Sequence, residues 1–106
     1  MDSLKQIVLR GFIDFDDVLR RECHARGEDE HSGSTCVSAL VTDKHILCAN
    51  TGDSRCILVR DYKVKPMSDD HKPTNPKERD RIQKAHGTVA LGRVNGDLAV
   101  SRAFGA

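Results

Sequence analysis

Aromatic side chains are scarce in this sequence: they make up 4% of 106 residues, with three Phe, one Tyr and no Trp. With hydrophobic residues at 38%, the core they predict is lean and aliphatic. An excess of charge of one sign is missing too, since 17 Lys and Arg stand against 16 Asp and Glu, a net +1. That balance argues against a non-specific nucleic-acid binder or a polybasic membrane binder. No apolar run approaches the roughly 18 residues of a membrane helix. Asp2 follows Met1 directly, with no basic start and no clean apolar segment, so no cleavable signal peptide is expected. The length allows one domain at most, and neither an internal repeat nor a low-complexity tract is present. Charged residues reach 31%, but the signs are mixed and apolar residues recur regularly, so a folded chain is expected.

Four cysteines are present, Cys23, Cys36, Cys48 and Cys56, and none forms a CxxC pair. Zinc-finger spacing is therefore absent. Three of them lie in apolar runs, where a thiol behaves as a small hydrophobe. Cys36, Cys48 and Cys56 are expected to be free and largely buried on strands. Without a secretory signal, reduced thiols fit a cytoplasmic or nuclear setting. A zinc site from Cys23, His24, His31 and Cys36 can be drawn, although its spacing follows no template.

Periodicity divides the chain in three. Residues 3 to 26 read as a helix, with capping-box spacing at Ser3 and Gln6. Leu4, Ile7, Val8, Phe12, Phe15, Val18, Leu19 and Cys23 form its apolar stripe, interrupted by Gly11. Thr35 to Val41, Ile46 to Ala49 and Cys56 to Val59 are short β-rich runs separated by polar turns, and Val64 to Met67 is a fourth ending near Pro66. This predicts an antiparallel meander whose strands are covered on both faces. Asn75-Pro76-Lys77-Glu78 opens a second helix that runs to about His86 and stops at Gly87. Thr88 to Val94 then reads as a strand, Asn95-Gly96 as a tight turn, and Leu98 to Val100 as the return. Segregated helices and strands give an α+β class with an antiparallel sheet.

Small polar clusters sit at the strand ends, where loops on a rigid sheet carry function. Ser32-Gly33-Ser34-Thr35 is either a phosphate-contacting turn or a flexible start to a strand. Within Asn50-Thr51-Gly52-Asp53-Ser54-Arg55, Asp53 could ligate a hard cation or serve an ordinary turn. Asp69-Asp70-His71-Lys72-Pro73 suits acid–base or metal chemistry, or a solvated connector. Arg93 and Arg102 suit a phosphate fork or a tie from loop to carboxylate.

Taken together and in order, these segments, with Asn75-Pro76-Lys77-Glu78, Arg81-Ile82 and Arg93-Val94-Asn95-Gly96-Asp97-Leu98-Ala99-Val100-Ser101-Arg102-Ala103, resemble the central part of the protein phosphatase 2C (PP2C, PPM) family. The resemblance covers roughly residues 32 to 105. It implies a β-sandwich of two antiparallel sheets flanked by helices, a binuclear Mn²⁺ or Mg²⁺ centre, and attack of a metal-bridging water on phosphoserine or phosphothreonine of phosphoprotein substrates. Metals suit that chemistry because they lower the pKa of bound water and offset phosphoryl charge. By the same resemblance, Asp53 matches an aspartate of a third, weaker metal. Thr35 matches a threonine at the active-site end of its strand, and Arg93 an arginine near the cleft.

Family members also carry an Asp-Gly-His-Gly-Gly segment upstream, and Asp-Gly and Asp-Asn segments downstream, whose acids complete the metal site. None of these lies within residues 1 to 106, and His86 stands where a glycine-rich helix end is usual. The chain is therefore expected to be an incomplete domain, cut on both sides and inactive alone. The alternative expectation is a non-catalytic interaction module or pseudophosphatase.

Overall fold

The computed structural model describes residues 2–27 and 32–105. The first helix, α1, spans Asp2–Ala25. It begins one residue before Ser3, so Ser3 lies inside the helix and the expected capping box does not form. Exposed pairs such as Arg10–Asp14 support it at helical spacing. Its apolar residues cover too wide an arc for one neighbour to hide. Leu4, Val8, Phe12, Leu19 and Cys23 are half-buried, whereas Ile7, Phe15 and Val18 stay exposed. Val8, Leu9 and Phe12 share a cleft with Leu47 and Cys48.

Strands β1 (Cys36–Val41) and β2 (Ile46–Thr51) pair antiparallel, from Cys36 opposite Thr51 to Val41 opposite Ile46. Strands β3 (Ile57–Arg60) and β4 (Lys63–Pro66) form a second ribbon, closed by Asp61 and Tyr62 at φ 52° and 61°. Two consecutive positive φ values give the turn whose twist matches a hairpin. The short strands β5 (Val89–Ala90) and β6 (Arg93–Val94) make a third ribbon.

The result is α+β with antiparallel pairs, as expected, but two features of the expectation fail. The strands form three separate two-stranded sheets instead of one meander. The physical reason lies after β2: Gly52 commits both its backbone groups to His71, so the chain leaves sideways instead of turning back onto β2. Nor are the strands covered on both faces. Val41, Val59 and Val64 are all more than 60% exposed, because no second sheet stacks on any ribbon among the described residues.

Thr88 to Val94 is also not one strand. Leu91 and Gly92, at φ 55° and 73°, turn the chain between β5 and β6. The Asn95-Gly96 turn does form, but Leu98 makes only an isolated bridge to Val94, and no returning strand follows among the described residues. The four cysteines are free; Cys36, Cys48 and Cys56, expected to be largely buried on strands, are only half-buried, and Cys56 lies just before β3. Burial, reinforced by the neighbouring Cys56 thiol, pushes Cys48 up to about 11.

Helix α2 (Pro76–Lys84) starts as its sequence dictates: the Asn75 side chain accepts from the Lys77 amide, with Pro in the first turn. Its end differs from expectation. The left-handed residue is His86 (φ 68°), ahead of Gly87. Gly87 N–H donates to Ile82 O at 2.9 Å and His86 N–H to Gln83 O at 3.0 Å, which is a Schellman arrangement with histidine where glycine is favoured. A side chain in that conformation costs about 1 kcal/mol. His86→Gly is therefore expected to stabilise the protein by about 1 kcal/mol, read as a higher denaturant midpoint; an unchanged or lower midpoint would show that the His86 side chain compensates.

Among the described residues the buried ones are Gly52, Pro73, Glu78, Ile82 and Ser101. Instead of lying beneath the ribbons, the small core joins the loop after β2, the connector before α2, α2 itself and the segment after β6.

Candidate active-site region

The turn after β2 is built around Gly52. At φ +115° it adopts a backbone that side chains disfavour, and a Cβ there would stand 2.6 Å from Thr35 Cβ. This close approach sets β1 against the turn. Thr35 and Ser54 then share a hydrogen bond of 2.9 Å between their hydroxyls. Asn50 braces the turn from below, its amide donating to the carbonyls of Gly52 and Asp69, each at 3.2 Å. Its Oδ1 is buried without a partner among the described residues.

The connector 69–73 meets this turn residue by residue. His71 N–H donates to Gly52 O at 2.9 Å, and Gly52 N–H donates to His71 Nδ1 at 2.9 Å. An acceptor Nδ1 means a neutral ring carrying its proton on Nε2. Burial depresses the His71 pKa, which agrees with that neutral state. On either side, Lys72 Nζ pairs with Asp53 at 2.5 Å and Arg55 grips Asp70 in a two-pronged contact at 3.0 and 2.6 Å. The hydrogen bond from Lys72 holds the Asp53 carboxyl below its ordinary pKa, and that from Arg55 does the same for Asp70.

Of the expected site residues, the structure sets Thr35 against Gly52, the neighbour of Asp53, and bonds it to Ser54. Arg93 lies apart in its own hairpin, where its guanidinium donates to the Asp97 carbonyl at 2.8 Å. The tie from loop to carboxylate falls to Arg102, which holds Glu78 at 2.8 and 3.2 Å. Glu78 is the residue whose place sequence reasoning missed. Its spacing from Asn75 suggests a capping role, but its carboxylate turns inward to Ser101 Oγ (2.7 Å), Arg102 and Arg81 (3.5 Å). The one hint is an acid three residues after a cap that Asn75 already fills.

The carboxylates of this region do not by themselves fit a two-metal centre. Asp53 and Asp70 each face a cation, and among the described residues no group of three or more His, Cys, Asp or Glu could hold a metal ion. His31, a ligand of the zinc alternative, lies outside the described residues.

The family model of protein phosphatase 2C matches residues 1–106. The chain belongs to the protein phosphatase 2C family. Over 105 residues, 99% of its length, it is 44% identical to human "Protein phosphatase 1B" and 43% identical to human "Protein phosphatase 1A". It covers 22% and 28% of those two proteins, and so spans about a quarter of the length of the curated relatives it matches. The protein phosphatase 2C family is metal-dependent in general. No helix among the described residues is long and apolar enough to cross a membrane.

Proposed function

We propose that the protein carrying this chain is a serine/threonine phosphatase, hydrolysing phosphoserine and phosphothreonine in phosphoproteins with Mn²⁺ or Mg²⁺. The observation that supports this most is that the family match runs through the whole chain, with the Gly52-Asp53 turn tied into its small buried core through Gly52. Asp53 supplies a carboxylate held ionised on a rigid turn. Thr35 lines the same turn, its hydroxyl oriented by Ser54. Arg93, on an exposed hairpin, faces the cleft of the whole domain in this reading.

Two divalent cations close together need several carboxylates to offset their repulsion, and in this reading Asp53 serves a third, weaker metal beside them. The 106 residues alone are accordingly expected to show no turnover, and the remaining ligands are assigned to the rest of the protein. The location assigned with this reading is cytoplasmic or nuclear, where thiols stay reduced.

The test is phosphopeptide hydrolysis by the full-length protein against Mn²⁺ concentration, wild type beside Asp53→Asn. The variant is expected to need more Mn²⁺ and to turn over roughly tenfold more slowly. Its thermal midpoint should stay close to wild type, because a partly exposed ion pair contributes little to stability. Identical metal curves would remove Asp53 from the site. Absence of turnover in the wild type at any Mn²⁺ concentration would favour the non-catalytic interaction module.

A further inference from the structure

The geometry of the Gly52-Asp53 turn is set from a distance. Gly52 has both its backbone groups on His71, so wherever His71 sits, the turn follows. His71 is in turn held from behind: its carbonyl accepts from Ser101 N–H at 2.9 Å. Ser101 is buried and fixed on its other two polar sides as well. Its hydroxyl donates to Glu78 at 2.7 Å, and its carbonyl accepts from Arg81 at 2.8 Å. Glu78 is the hub, because the same carboxylate also takes the Arg102 fork and the weaker Arg81 contact. Buried polar groups joined in a fully satisfied network hold one arrangement, since every alternative leaves a partner unsatisfied.

We propose that Glu78 is a positioning residue for the Asp53 carboxylate, acting through Ser101 and His71 on the Gly52 turn. The path crosses four segments: α2, the stretch after β6, the connector before α2, and the loop after β2. Four of the five buried residues of the described chain lie on or beside it, namely Gly52, Pro73, Glu78 and Ser101. Glu78 touches neither Asp53 nor any group assigned to substrate, so its effect is on geometry. The consequence for activity rests on the phosphatase reading above, whereas the effect on the turn itself does not.

Glu78→Gln and Ser101→Ala in the full-length protein separate these. Glu78→Gln keeps the side-chain shape and an acceptor for Ser101 while removing the charge that anchors Arg102, and Ser101→Ala removes the hydroxyl contact alone. The first readout is the Gly52 amide in glycine-labelled protein, which reports its hydrogen bond to His71. Both variants are expected to shift this resonance and to speed its hydrogen exchange roughly tenfold. The second readout is turnover of a phosphopeptide: kcat should fall roughly tenfold with KM within about twofold. The third is a cycle with His71→Ala, in which adding Glu78→Gln to His71→Ala should cost no more than His71→Ala alone. A residue that merely stabilised the fold would give additive losses and leave the Gly52 amide in place. An unmoved Gly52 amide in folded Ser101→Ala, or additive losses in the cycle, overturns the proposal. If Glu78→Gln does not fold, Ser101→Ala decides by the same amide. If wild-type protein shows no turnover, the phosphatase reading fails and the amide still decides the positioning role.

Discussion

Gly52→Ala is expected to be the most damaging single-methyl change in the chain. The new Cβ would stand 2.6 Å from Thr35 Cβ and 3.1 Å from Thr35 Cα, atoms that cannot swing aside as a side-chain tip can. Residue 52 also sits at φ +115°, where an L side chain is strained whatever the space around it. Strain of this kind costs about 1–3 kcal/mol and forced overpacking about 1–3 kcal/mol more. Relaxing the turn does not escape the cost, because moving it breaks both hydrogen bonds to His71. A loss of about 2–6 kcal/mol follows, together with loss of the Thr35–Ser54 contact that depends on the close approach. Gly11→Ala is the matched control. A Cβ at Gly11 meets nothing within 4 Å on helix α1, so the change should stabilise by about 1 kcal/mol through helix propensity. Denaturant unfolding of the two variants beside wild type checks the pair. Equal midpoints for Gly52→Ala and wild type would show that the turn is not built as described.

The local features that a sequence encodes in adjacent residues were legible: the Asn75 cap, the Asn95-Gly96 turn and the stretch of α1. So was Asp53 on its glycine turn. What stayed hidden depends on partners distant in sequence. The Leu91-Gly92 turn lacks the usual pair of turn formers, and Leu91 takes a positive φ at almost full exposure because the pairing of Val89 with Val94 demands it. The break between β2 and β3 comes from His71, nineteen residues beyond Gly52. Glu78 looked like part of a capping box because the acid at that spacing is the usual signal, and only the arrival of Ser101 and Arg102 gives it a better partner. Thr35 and Asp53 could be named singly from their motifs, but the close approach of Thr35 to Gly52, next to Asp53, depends on a glycine with no Cβ between them. The first four apolar runs located β1 to β4 but not their covering, since an apolar run states a preference for burial without supplying the surface that satisfies it.

The second large effect belongs to Glu78. Hydrogen bonds from Arg102 and Ser101 and the charges of Arg102 and Arg81 outweigh burial and bring its carboxyl from the ordinary 4.5 down to about 2. The folded pKa is depressed, so the stabilisation is fully present above pH 4.5 and is lost as pH falls towards 2. The difference corresponds to about 3 kcal/mol. Glu78→Ala should cost a similar amount at neutral pH, about 2–3 kcal/mol, below the 3–5 kcal/mol of a fully buried pair. The discount has a structural cause: the Arg81 and Arg102 side chains are 43% and 47% exposed, so water recovers part of their solvation once the acid is gone. Ser101 recovers nothing, because it is buried and its hydroxyl is left without its acceptor. Unfolding midpoints of wild type and Glu78→Ala across pH 7 to pH 2.5 carry the test. Other carboxylates titrate in that window in both proteins, so the informative quantity is the gap between the two curves. The gap should be constant from pH 7 to about pH 5 and close progressively below 4.5, as protonation removes from the wild type what the substitution has already removed. A gap that stays constant down to pH 2.5 would mean that Glu78 stabilises by packing alone, and the charged network around Ser101 would no longer explain why this helix holds the turn that carries Asp53.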